Sequence, residues 1–352
     1  MAGRRPGLLL GLAVLAAVPG GARSQEAATE PLEFAVLGHI RGNAEGPHYL
    51  LEELFSEVRA LGPDLVFLTG DMIWGDVRRD PVDPALVTAE WNRLDSALAT
   101  LGVPAYRVPG NHEISDVVAR DVYVERYGLP PERFDLGAVR FILLTSAWIP
   151  EDDDPGKNRF IRGVQLDSAQ VAFLRDALDP SDPYEHAFVF MHHLLWWEEG
   201  AAWWRDVHPL LADGRVRAVF SGEYGPMKFS HMERDGIQYL QSAIEGVVGL
   251  PMLRAREESR LLSQQFDNFL FVTVDGPRVD ISVETLGETS SGHFAPRRWR
   301  AIHEYEEGGG ALAALGRFWD DVKSPRRLSL IGVALLAALA LGVLLGRGPL
   351  RG

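Results

Sequence analysis

The sequence predicts an α/β fold in which two β-sheets stack as a sandwich flanked by helices. Three observations point to it. Short apolar runs alternate with helix-like segments as far as Phe229. Beyond it the pattern changes to strands joined by turns. Residues 32–284 are also numerous enough to bury one sizeable core as a single domain.

The elements follow in order. Glu33–Leu37 is a short apolar run closed by Gly38 and reads as a strand. His48–Leu61 carries apolar residues at helical spacing, and Leu65–Thr69 is a second strand ending at Gly70-Asp71. A helix is expected from Leu86 to Leu101, then a strand, Ala105–Val108, leading into the turn Gly110-Asn111-His112-Glu113. Arg140–Thr145 reads as a strand and Asp167–Leu178 as a helix, with Asp167 or Ser168 placed to cap it. Phe188–Met191 and Val216–Phe220 are short buried strands. Ile237–Gln241, Phe269–Val274 and Val279–Val283 complete the set, with Asp275-Gly276 as a turn between the last two. Residues 285–327 hold Gly308-Gly309-Gly310, several charges and little periodicity, and are expected to form a linker.

The two ends carry apolar segments of different kinds. Arg4 and Arg5 precede the apolar stretch Leu8–Val18, and Ala22-Arg23-Ser24 offers small residues for cleavage, so residues 1–24 read as an export signal, with an uncleaved anchor as the alternative. The run 328–346 has no charge, and at helical rise it spans roughly 28 Å, the thickness of a bilayer's hydrocarbon. It is expected to be a single transmembrane helix followed by the short tail 347–352. Lys323, Arg326 and Arg327 before it outnumber Arg347 and Arg351 after it, a weak bias against an inward tail. The leading signal dominates, which puts the central domain outside the cytoplasm. The absence of cysteine fits an exported domain built without disulfides. The formal charge of −14 argues against nucleic-acid binding, which needs positive potential along the phosphates.

Ligands in such a fold gather at strand ends, where the loops of one sheet edge converge. Five places qualify: Gly38-His39-Ile40-Arg41-Gly42, Gly70-Asp71, Asn111-His112, His192-His193 and Gly222-Glu223-Tyr224-Gly225. A carboxylate and an amide oxygen are hard ligands for a divalent ion, and a neighbouring His handles protons. Taken in this order the motifs resemble the calcineurin-like metallophosphoesterase family over most of residues 32–284.

The resemblance implies the family's sandwich and a phosphoester hydrolase working through divalent metal. It makes Asp71 the bridging metal position, Asn111 and His192 ligands of a second metal, and His112 the general acid. His193 is the alternative to His192, although the spacing after Phe190-Met191 favours the first of the pair.

Three positions depart from the family pattern. His39 stands where the family has Asp, Arg41 where it has His, and Glu223-Tyr224-Gly225 where it has His-x-His. An imidazole at His39 still has a nitrogen to offer. Arg41 remains protonated and has no acceptor, so it cannot bind a metal.

The expectation is therefore one divalent metal (Mn, Zn, Mg or Fe) per chain, held by Asp71, Asn111, His192 and Glu223. Arg41 replaces the charge of the missing ion and clamps phosphoryl oxygens. His39 sits beside it, and His112 is oriented by Glu113 or Asp76. The competing reading is a catalytically inactive module that kept the sheet and serves in binding or as a scaffold.

The expected partners are a phosphorylated substrate and the membrane, through the C-terminal helix. A protein partner is not legible in the sequence. Trp196-Trp197 and Trp203-Trp204 read as core packing or a lid wall, and the carboxylate run Glu151–Asp154 as a solvated loop. No Gly-x-Ser-x-Gly elbow is present, which excludes the usual serine-hydrolase arrangement.

Overall fold

The computed structural model describes residues 30–77, 82–147, 166–197, 201–223, 228–244, 262–264, 266–286 and 298–303. The fold belongs to the unit that begins at Pro31; of the preceding unit, Met1–Glu30, only Glu30 is described. The expected signal 1–24 and the apolar run 328–346 lie outside the described residues. Among those residues no helix is long and apolar enough to cross a membrane.

The first half of the fold runs β1 (Leu32–Leu37), α1 (Leu51–Leu61), β2 (Leu65–Thr69), α2 (Pro84–Ala99), β3 (Ala105–Val108), α3 (Val117–Tyr127), β4 (Glu132–Leu136) and β5 (Val139–Leu143). It continues with α4 (Ser168–Ala177), β6 (His186–Phe190), a π-helical turn at Trp203–Val207, α5 (His208–Asp213) and β7 (Val216–Ser221). The remaining strands are β8 (Phe229–Arg234), β9 (Ile237–Gln241), β10 (Leu262–Gln264), β11 (Asn268–Asp275), β12 (Arg278–Thr285) and β13 (Arg298–His303).

One sheet is ordered β13-β12-β11-β1-β2-β3 and the other β10-β8-β9-β7-β6-β5-β4. Side-chain alternation along each central strand builds four layers. From β1, Phe34 and Val36 point between the sheets, where they meet Phe141, Phe188, Phe190 and Phe220 of the other sheet. The ring of Phe67 stacks on that of Phe190 at 3.9 Å between centroids. On the opposite face, Ala35, Leu37, Val66 and Leu68 receive Leu54 and Phe55 of α1, Trp91 of α2 and Tyr123 of α3. The outer face of the second sheet packs Val189, Val219 and Tyr239 against Leu174 of α4, Leu211 of α5 and Trp203. Trp196 and Trp203 are buried against Tyr239, so these two tryptophans are core residues.

Carboxylates set the helix starts. Asp83, Asp116 and Asp167 accept the N–H groups of Ala85, Ala119 and Gln170 at 2.9, 2.7 and 2.8 Å, so Asp167 and not Ser168 caps α4. The sequence expectation omits α3, β4, the π-helical turn, α5, β8 and β10. β13 pairs antiparallel with β12, from Val279↔His303 to Glu284↔Arg298, so a strand stands inside the segment expected to be linker.

For the site, the decisive feature is direction. β1, β2 and β3 are parallel to one another, as are β5, β6, β7 and β9. The loops leaving β1, β2, β3, β6 and β7 hold His39 and Arg41, Asp71, Asn111 and His112, His192, and Glu223 in turn.

Candidate metal centre

Asp71 is the hub. It is buried, it lies just beyond β2, and it adopts the left-handed φ of +51°. His39, after β1, does the same at +45°, an uncommon conformation for residues with a Cβ that turns both chains sharply at the sheet edge. The two loops are tied by the His39 N–H to the Gly70 carbonyl at 3.2 Å and the Arg41 N–H to the Asp71 carbonyl at 2.9 Å.

The two carboxylate oxygens of Asp71 face different groups. Oδ2 looks toward His39 Nε2 at 3.6 Å, His112 Nε2 at 3.8 Å and Arg41 Nε at 3.9 Å. Oδ1 accepts the His112 backbone N–H at 3.1 Å and lies 3.4 Å from His192 Nε2. The Asn111 Oδ1 atom is 3.2 Å from the same imidazole nitrogen. The structure thus brings together His39, Arg41, Asp71, Asn111, His112 and His192, from four loops and both sheets.

Close packing enforces this meeting. Gly70 has φ +86°, and a Cβ there would stand 2.4 Å from His192 Nδ1. A Cβ on Gly110 would stand 2.3 Å from Asp71 Oδ1. Only glycine lets the backbones come this close.

Hydrogen bonds fix the tautomers. His192 Nδ1 is 2.9 Å from the Thr69 carbonyl, and His112 Nδ1 is 2.7 Å from the Trp74 carbonyl. A carbonyl only accepts, so each Nδ1 carries the hydrogen and a neutral ring turns its Nε2 lone pair toward Asp71. Around His192 three lone-pair-bearing atoms then converge: its own Nε2, Asp71 Oδ1 and Asn111 Oδ1. Atoms bound to one ion at about 2.1 Å lie roughly 3.0–3.5 Å apart, so the spacing of this set and its mixed N/O chemistry fit a divalent metal. The Nδ1–H donated to a backbone carbonyl is the usual support for a ligating imidazole. Among the described residues no three His, Cys, Asp or Glu side chains form a metal-holding group by themselves. The set depends on the Asn111 amide.

The groups around Asp71 shift its carboxyl in one direction. Burial raises its carboxyl, but His112, His192, His39 and Arg41 outweigh burial and hold it well below the usual carboxylate range. Burial drives His39 well below 6.5 against the pull of Asp71, and lowers His112 in the same way.

Several expected roles change. Glu113 does not orient His112. Its buried carboxylate accepts four backbone N–H groups, from Asp71 at 2.8 Å, Gly110 at 2.7 Å, Met72 at 2.7 Å and Ile73 at 3.2 Å. Burial and the charge of Asp71 push the Glu113 carboxyl up, to about 7, against the donors that hold it down. Asp76 accepts the Asp83 N–H at 3.2 Å, and the partner of His112 Nδ1 is the Trp74 carbonyl. His193 bonds Ser146 Oγ through Nδ1 at 2.8 Å, which leaves His192 as the member of the pair beside Asp71. Glu223, the expected fourth ligand, interacts electrostatically with His192 and Asp71, and its Oε2 accepts the Leu194 N–H at 2.8 Å, bracing the turn after His192.

The functional residues that sequence reasoning missed are Thr69 and Trp74, which act through backbone carbonyls. No residue type signals such a role; the turn sequence Trp74-Gly75-Asp76 after Asp71 is the one available hint.

The chain belongs to the calcineurin-like phosphoesterase family, which it matches over residues 34–222. That family is one of phosphoester hydrolases that work with divalent metals.

Among solved structures, the chain is similar to a dimetal phosphatase from Danio rerio, at 17% identity and TM-score 0.49, covering 72% of this chain and 96% of that one. It is similar to the purple acid phosphatase PPD1 from yellow lupin (Lupinus luteus) seeds, at 12% identity and TM-score 0.50, covering 79% of this chain and 55% of that one. It is also similar to GAP50, the anchor in the inner membrane complex of Plasmodium, at 14% identity and TM-score 0.53, covering 82% and 94%. At such identities the lupin and Plasmodium likenesses establish the fold alone. No curated protein sequence matches.

Proposed function

We propose that this chain is a membrane-anchored phosphoester hydrolase outside the cytoplasm, built around one divalent metal in place of two. The observation that carries the reading is the division of labour at Asp71. One oxygen faces the donor set of Asn111 and His192, and the other faces the fixed positive charge of Arg41, 3.9 Å away.

A metal held by Asp71, Asn111 and His192 would supply Lewis-acid polarisation of a phosphoryl oxygen. The residues of the chain do the rest. Arg41 offers a planar fork of N–H donors to two phosphoryl oxygens. His112, with Nδ1–H held by Trp74, presents the lone pair of Nε2, which takes a proton from the attacking water and passes it to the leaving oxygen. His39 lies on the same side of Asp71 as Arg41, both facing Oδ2. Without a second ion to clamp the phosphoryl group, turnover should be slow for a phosphoesterase of this kind.

Export and anchoring rest on the segments 1–24 and 328–346 alone. The rival reading, a binding or scaffold module, is favoured by one specific feature, the arginine in the first loop where the family has a metal ligand.

Metal content of the purified full-length chain, with Asp71→Asn and His192→Ala beside it, separates the two. About one transition metal per chain, absent from both variants, together with metal-dependent hydrolysis of p-nitrophenyl phosphate, would support the hydrolase. A parent chain that holds no metal after reconstitution would leave the binding module.

A further inference from the structure

We propose that Trp74 is the positioning residue for Arg41: its indole sets the plane and reach of the guanidinium that receives the phosphoryl group. The inference rests on the phosphoester reading above and names a part of the site that the metal ligands do not supply.

Trp74 lies on the loop after Asp71 and is half-buried. The Arg41 guanidinium carbon stands over its ring, 5.2 Å from the centroid. The His112 ring lies 5.3 Å from the same indole, tilted by 51°. One residue therefore touches both groups assigned to the phosphoryl and leaving-group oxygens, Arg41 through its ring and His112 through its carbonyl.

The loop that carries the indole is firmly held. Glu113 takes the Met72 and Ile73 N–H groups, and Glu90 Oε2 takes that of Gly75 at 2.9 Å. Arginine, by contrast, is a long side chain with much rotamer freedom to lose. A ring beneath its guanidinium restrains it by attraction to the π face without using the N–H donors, which stay in the guanidinium plane. Arg41 Nη1 donates to the Gly42 carbonyl at 2.9 Å, which tethers one arm of the fork. Together these contacts hold the cation beside Asp71, 3.9 Å from its Oδ2 atom.

The test uses the full-length chain and its Trp74→Leu, Trp74→Phe and Arg41→Ala variants, titrated calorimetrically with inorganic phosphate in the presence of Mn²⁺. Spectra of ¹⁵N-arginine-labelled protein are recorded beside the titrations. In the parent, the ring current of Trp74 should move the Arg41 Nε–H resonance upfield, and Trp74→Leu should abolish that shift. Phosphate affinity should fall roughly three- to thirtyfold in Trp74→Leu, the range a cation–π contact spans, and less in Trp74→Phe. In an Arg41→Ala background Trp74→Leu should add nothing, because the two act as one unit.

The proposal is overturned if Trp74→Leu leaves the Arg41 resonance or the phosphate affinity unchanged. It is overturned equally if the loss persists undiminished in the Arg41→Ala background. Each of these results leaves the phosphoester reading standing. A parent chain that binds no phosphate at all would overturn both.

Discussion

Asp71 and Glu113 are two buried carboxylates within one hydrogen-bond network, and their partners give them opposite tasks. The side chains of His39, Arg41, His112 and His192 surround Asp71, whereas four backbone N–H groups surround Glu113. Asp71→Asn should therefore remove metal and hydrolysis together while the protein stays folded, seen as lost metal content with an unchanged circular-dichroism spectrum. Glu113→Gln should do the reverse damage. Its amide N–H₂ turns toward donors, leaves buried backbone N–H groups unpaired, and costs about 2–4 kcal/mol in urea unfolding. Asp71, Asn111 and His112 are legible in the sequence because their residue types mark them as candidate ligands and proton carriers. Glu113 is not, because its partners are peptide groups that every residue possesses.

At the scale of elements, the site exists because two sets of parallel strands end at the same edge of the sandwich. The spacing between the two loop sets is set by glycine. Gly70→Ala puts a methyl group 2.4 Å from His192 Nδ1 at a φ of +86°. It should lower metal affinity at least tenfold, by analogy with loss of an imidazole's outer support, with a smaller effect on the unfolding midpoint.

Away from the site, Arg140 of β5 joins several elements. It makes two bonds of 2.8 Å to Asp135 of β4, and bonds of 2.7 Å to the Ala177 carbonyl of α4 and to Asp182. Its guanidinium also lies over Tyr184 at 4.2 Å. Arg140→Lys keeps the charge but loses the fork, and should cost about 1–3 kcal/mol in urea unfolding, discounted for the partly exposed Asp135.

The central strands are legible as apolar runs. β4 is not, since four of its five residues are exposed, as an edge strand allows. The π-helical turn at Trp203–Val207 escapes as well, because its shape comes from packing Trp203 on Tyr239 rather than from a local period.

For the molecule as a whole, acid should be a denaturant before any metal ligand is considered. His186 is buried, with Nε2 near the Gly276 carbonyl at 2.8 Å and Nδ1 accepting from Arg217 Nε at 2.9 Å. Burial lowers its pKa below 6.5, and the same holds for His231. A lowered folded-state pKa means that the unfolded chain binds protons first. The stabilisation is complete above 6.5 and is lost as pH falls through that value toward the folded pKa. Urea midpoints should fall between about pH 7.5 and about pH 5, and His186→Gln should flatten that dependence. The ends make a separate prediction: the full chain should remain in the membrane fraction after alkaline washing, and a chain stopped before Leu328 should be released.

The sequence by itself determined the layered α/β class, the order of the strand-end motifs and the identity of the groups that meet at Asp71. Each of these is written in residue type and local period. Only the tertiary structure decided that His192 and not His193 faces Asp71, that Glu113 holds peptide groups, that Glu223 braces a turn, and that Trp74 lies beneath Arg41. These outcomes depend on which loops approach within a few ångströms across the two sheets. That proximity is fixed by strand direction, register and glycine packing, and no segment read alone contains it.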